Sequence, residues 1–184
     1  MNILVPTTPA GASPRTATPI EKRWCPPHSG LVKCNINANW RNDKLHSGGS
    51  WILRDHSGAA LFHAREAFTS SPNRMIAEFR CLIWAPQGLH DLHVSEVIVV
   101  SDSQVMIDAI TKPLEWPRYR AFTDYIHRSC IGFSYCSIEY EAPEANRAAR
   151  EIAKSVTRDG RFQSYITMDD LHGYTTSFVR TLFD

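Results

Sequence analysis

Val97-Ile98-Val99-Val100-Ser101-Asp102-Ser103 sets the architecture. Four consecutive β-branched apolar residues leave no polar face, so the strand they form must be covered on both sides. That is the condition of a parallel strand in a sheet flanked by helices, and ligands gather at the carboxyl ends of such strands. Asp102 stands at that address. Upstream, Val32, Cys34, Ile36, Ala38 and Trp40 alternate with Lys33, Asn35, Asn37 and Asn39, the period of a half-buried strand. Ser50 to Arg54 and Ala59 to Phe68 flank the turn residues Asp55-His56-Ser57-Gly58, which completes an antiparallel meander of three.

Ser71-Pro72 offers an N-cap with proline at the first helical position, and Met75, Ile76, Phe79, Leu82 and Ile83 recur at helical spacing. The pattern predicts a helix from about residue 73 towards Asp91, kinked or ended early at Pro86, because an interior proline costs about 3 kcal/mol. Helices around 103–111 and 118–129, a strand near Phe133 to Tyr140 and a helix from about Pro143 to Val156 follow. Three strands, then helix, strand, helix, strand and helix, describe an α/β domain with a mixed five-stranded sheet over residues 24–157. No internal repeat interrupts it.

Residues 1–23 hold Pro6, Pro9, Pro14 and Pro19 and no acid before Glu21, the composition of a disordered leader. A linker is preferred to an organelle transit peptide, since Arg15 is the only base before Lys22. Residues 158–184, with Phe162, Tyr165, Ile166, Leu171, Tyr174 and Phe178 among them, are too aromatic for a disordered tail and either dock back or bind a partner.

The whole chain has 184 residues, 43% of them hydrophobic, with 20 Lys plus Arg against 19 Asp plus Glu. That is enough to build a core, and the formal net charge of +1 excludes a strongly basic, histone-like binder. No apolar run approaches the roughly 18 residues of a membrane span. Cys25, Cys34, Cys81, Cys130 and Cys136 are odd in number and lack CxxC spacing, which predicts reduced, largely buried thiols in an intracellular protein. Nucleus and cytoplasm are the expected compartments, with an organelle left open.

Glu78 lies one turn into the first long helix beside Met75 and Leu82, so its carboxylate needs a buried partner. Taken singly, Glu78 reads as a salt-bridge residue and Asp102 as the N-cap of the next helix. Together with their surroundings they carry more. The run from Trp24 through Leu31-Val-Lys-Cys-Asn-Ile-Asn-Ala38, then Ile52-Leu-Arg-Asp-His-Ser-Gly58, Ala77-Glu-Phe79, Val100-Ser-Asp-Ser103 and Glu144-Ala-Asn146, resembles the plant retroelement-related branch of type 1 ribonuclease H domains.

The resemblance implies a ribonuclease H-like fold, RNA/DNA hybrid as substrate and two Mg2+ ions held by carboxylates, one activating water and one stabilising the leaving oxygen. Carried over by position, Glu78 and Asp102 match the expected acids and would hold any metal that binds. The first-strand Asp falls on Asn37, and the last-helix Asp, four residues after Asn146, falls on Arg150. Asn37 still offers a neutral carbonyl. Arg150 repels cations, since unit charges about 4 Å apart interact by roughly 4 kcal/mol at an effective dielectric near 20, and a divalent ion doubles that. The expectation is that Arg150 replaces metal by pairing with Asp102 or Glu78; the competing register would bring Glu144, Glu151 or Asp159 to the site instead.

Arg147, Arg150, Lys154 and Arg158 form a stripe on the last helix that Arg118, Arg120, His127 and Arg128 could extend into a phosphate-binding surface. His90 and His93 fall beyond Pro86 and read as solvated loop residues, while Cys130 and Cys136 read as small apolar residues straddling a turn. The functional expectation is a hybrid-type nucleic-acid-binding domain with a degraded two-metal site and weak or absent hydrolysis. An active hybrid nuclease with an irregular carboxylate set is the alternative, and a protein-interaction scaffold the second.

Overall fold

A computed structural model describes residues 23–168 and 176–178. The expected leader lies outside them apart from Arg23, as do Leu171, Tyr174, Val179, Leu182 and Phe183 of the C-terminal extension. The elements in order are β1 (Val32–Asn39), β2 (Ser47–Arg54), β3 (Ala60–Phe68), α1 (Arg74–Asp91), β4 (Glu96–Ser101), α2 (Gln104–Thr111), α3 (Arg120–Cys130), β5 (Tyr135–Tyr140), α4 (Arg147–Arg158), β6 (Tyr165–Met168) and β7 (Thr176–Phe178). Among the described residues no helix is long and apolar enough to cross a membrane.

One sheet holds every described strand, in the order β5-β4-β1-β2-β3-β6-β7. It has seven strands where the sequence predicts five. The difference comes from the C-terminal extension: β6 pairs antiparallel with β3, Ala64 opposite Ile166, and β7 pairs with β6. A meander ending at β3 would leave that strand's backbone donors and acceptors unpaired, and β6 covers them.

β1 sits in the middle, antiparallel to β2 and parallel to β4, and its alternation separates two chemistries. Cys34, Ile36 and Ala38 enter the main core with Trp51, Leu53, Phe79, Leu82 and Leu89. Asn35, Asn37 and Asn39 face the other way, towards α4, where Thr157 donates to Asn39 at 2.6 Å. Small residues let α4 lie close to the sheet on that side. Ser50 Oγ donates to the Ala149 carbonyl at 2.6 Å, and a Cβ on Gly48 would stand 2.2 Å from the Ala153 carbonyl oxygen. That oxygen is backbone and has nowhere to go. Gly48→Ala is expected to destabilise the fold by about 1–3 kcal/mol, read as a lower midpoint in a urea melt.

Gly58, at φ +88°, closes the β2–β3 turn in a conformation that other residues resist, and Asp55 Oδ1 accepts from the backbone of Ser57 and Ala59.

Local signals fail at three places. Pro86 does not end α1, which runs to Asp91. It is buried with Leu82, Ala85 and Leu89, and this packing outweighs the lost bond to the Leu82 carbonyl. The N-cap is Asn73, whose side chain accepts from Ile76 N at 3.0 Å; Ser71 is buried instead, its carbonyl accepting from Trp40 Nε1 at 2.9 Å. Residues 143–146 form a turn, so α4 starts at Arg147 and not near Pro143. As a result of the longer α1, His90 belongs to its last turn, stacked on Phe133 with ring centroids 4.0 Å apart, and is no loop residue. No disulfide joins the cysteines; Cys130 and Cys136 are buried across the α3–β5 turn with sulfurs 3.2 Å apart.

Candidate functional site

The parallel pairing of β1 and β4 sets Ile36 opposite Ser101, so the next residues, Asn37 and Asp102, emerge side by side at the strands' carboxyl ends. Asn37 Nδ2 donates to Asp102 Oδ1 at 2.9 Å. Arg150, reaching in from α4, donates through Nη1 to Asp102 Oδ2. The Asp102 side chain is 2% exposed, and each of its oxygens is taken by a donor from this chain.

Arg150 is aimed by the turn before its helix. Asn146, fully enclosed, donates through Nδ2 to the Ile36 carbonyl at 2.9 Å and accepts from Asn35 Nδ2 at 3.1 Å. Asn35 also donates to Glu141 at 2.6 Å and accepts from Trp24 Nε1 at 2.9 Å, while Lys33 pairs with Glu141 at 3.0 Å. This polar network pins the start of α4 to β1, and one helical turn onward Arg150 arrives over Asp102. The acids of the competing register stand elsewhere. Glu144 is exposed, Glu151 is exposed and pairs with Lys154 at 2.7 Å, and Asp159 pairs with Arg158 at 2.7 Å.

Glu78 approaches from α1, nearly buried. Arg74 Nε donates to its Oε1 at 2.8 Å and Ser103 Oγ to its Oε2 at 2.5 Å. Ser103 also accepts from Met106 N at 3.4 Å, so the residue next to Asp102 caps α2 and ties Glu78 to the same strand end. Glu78 and Asp102 contribute two negative charges, Arg74 and Arg150 two positive ones, and Asn37 none, so the group is neutral as a whole.

That donor set does not fit the two Mg2+ ions implied by the motif resemblance. Divalent ions need carboxylate lone pairs free to point at them, and several negative charges to compensate theirs. Here all four carboxylate oxygens accept hydrogen bonds from the protein, and a guanidinium lies against Asp102. Among the described residues no group of three or more His, Cys, Asp or Glu could hold a metal ion.

Comparison with known proteins agrees with this arrangement of elements. Residues 35–156, well over half of the chain, match the family described as reverse transcriptase-like. The chain belongs to that family. Among solved structures, RNase H1 from the halophilic archaeon Halobacterium salinarum matches with a TM-score of 0.64 at 20% identity, covering 71% of this chain and 99% of that one. The N-terminal RNase H domain of a Mycobacterium tuberculosis protein matches with a TM-score of 0.60 at 16% identity, over 70% of this chain and 94% of that one. An RNase H1 isolated from compost by a metagenomic approach, solved with an RNA/DNA hybrid, gives 0.59 at 16% identity over 71% and 97%. No curated protein matches by sequence. At these identities the structures establish the ribonuclease H-like fold of this reverse transcriptase-like domain.

The basic stripe is only partly available. Arg147 is exposed, but Lys154 and Arg158 both turn to Glu151, and Arg158 also engages Asp159. The hydrogen bond and charge of Lys154 hold the Glu151 carboxyl below its usual range. Sequence reasoning missed Arg74 and Ser103. Arg74 carried a signal, standing four residues before Glu78 on the same helix face.

Proposed function

We propose that residues 24–157 form a ribonuclease H-like domain that binds RNA/DNA hybrid-type nucleic acid and has lost two-metal hydrolysis. The observation that carries this reading is the guanidinium of Arg150 paired with Asp102, one of the two acids that would hold a metal. Family membership and the likeness to a hybrid-bound RNase H1 supply the nucleic-acid part. The plant retroelement-related lineage rests on the motif resemblance, and an intracellular setting on five cysteines that form no disulfide.

Each oxygen of Glu78 and Asp102 already accepts a hydrogen bond from the protein, which makes both carboxylates weaker bases and poorer holders of a nucleophilic water. Catalysis would have to come from Glu78, whose two oxygens are already engaged. The expected result in a gel assay on labelled hybrid is no cleavage with Mg2+ or Mn2+. In parallel, salt-dependent binding should persist unchanged in EDTA. Clean cleavage abolished by Glu78→Gln or Asp102→Asn would overturn the loss of hydrolysis, and no binding at low salt would overturn the nucleic-acid reading.

A further inference from the structure

We propose that Arg74 and Arg150 form a two-guanidinium clamp that takes a backbone phosphodiester of the bound nucleic acid directly, in place of metal ions. This rests on the nucleic-acid reading above and adds to it a named ligand group and the residues that grip it.

Both arginines are anchored at one end and open at the other. Arg74 engages Glu78 through Nε, and its side chain is 62% exposed; Arg150 engages Asp102 through one terminal nitrogen and is 34% exposed. A guanidinium carries five N–H donors, so each retains donors for a second acceptor. The carboxylates they hold are joined, because Ser103, adjacent to Asp102, donates to Glu78. The two cationic groups therefore belong to a single constellation at the sheet's carboxyl edge, not to two separate surface pairs.

Charge gives the same direction. A set of four carboxylates repels a phosphate unless cations intervene. In this chain the set sums to zero once Arg74 is counted, and the charges that face water are the guanidiniums while the carboxylates are nearly buried. Arginine's planar fork matches the paired oxygens of a phosphodiester, and ion pairing to carboxylates behind it fixes the fork before the ligand arrives. The site thus has the polarity of an anion receptor.

The test is anisotropy titration of a short labelled RNA/DNA hybrid in EDTA across a salt series, with the full chain, Arg74→Ala, Arg74→Lys, Arg150→Lys and, as an exposed arginine outside the site, Arg161→Ala. Arg74→Ala should weaken binding about tenfold and flatten the slope of log affinity against log salt by about one unit, with Arg161→Ala unchanged. Arg74→Lys and Arg150→Lys keep the charge and lose the fork, and should recover the slope but only part of the affinity. A wild-type chain that binds hybrid while Arg74→Ala behaves as Arg161→Ala does would overturn the clamp and leave hybrid binding standing. A wild-type chain that does not bind at low salt would overturn the nucleic-acid reading itself, and the clamp with it.

Discussion

Arg150→Ala is expected to lower the melting temperature by roughly 5–10 °C, a figure that follows from the burial of its partner. Asp102 is 2% exposed, and among the described residues the substitution leaves its charge with Asn37 as its side-chain partner. Breaking a buried pair from one side costs about 3–5 kcal/mol. Arg150 is itself one-third exposed and water could take part of its place, so about 2–3 kcal/mol is the better figure. For a domain of this size each kcal/mol moves the midpoint by about 2–4 °C. The double replacement Asp102→Asn with Arg150→Met removes both charges and should recover most of the loss. Thermal melts of the parent and the two variants separate the cases: if Arg150→Ala leaves the midpoint where it was, the pair is a surface contact and Arg150 holds nothing.

Asn37→Asp with Arg150→Asp should have the opposite dependence on cations. The pair of changes removes the guanidinium and sets four carboxylates around one strand end, with the new acid at position 37 directly beside Asp102. In EDTA that chain should be the least stable of the series, since like charges at such distances repel by a few kcal/mol each. Mg2+ should then restore it: a ligand present at about a hundredfold its dissociation constant stabilises by about 2.7 kcal/mol. Hydrolysis of the RNA strand should appear with the metal. If the variant folds but neither melting temperature nor cleavage responds to Mg2+, position 150 is not where a ligand belongs.

Much of this site is legible in the sequence because its residues sit where period and position coincide. The alternation from Val32 to Trp40 puts Asn35 and Asn37 on one face, and the apolar run before Asp102 marks a strand end beside them. Arg150 is reached only through the motif resemblance, four residues on from Asn146, and the buried network around Asn146 ties the start of α4 to β1. What escapes is tertiary. Pro86 breaks a local rule that packing around Leu82 and Leu89 overrides. Tyr165 to Met168 is too short to signal a strand until β3's open edge is known. Arg74 looks like any exposed helical cation, and its role depends on Glu78 being buried with Ser103 on its far oxygen.

Titration of Mg2+ into the wild-type chain by calorimetry, paired with a melt in Mg2+ and in EDTA, is the most direct measurement of whether Arg150 stands in for metal. The expected result is no binding heat and superimposable melts. Stoichiometric Mg2+ binding with a rise in melting temperature would mean that the Arg150–Asp102 pair opens to admit the ion, and the replacement of metal by guanidinium would be contradicted.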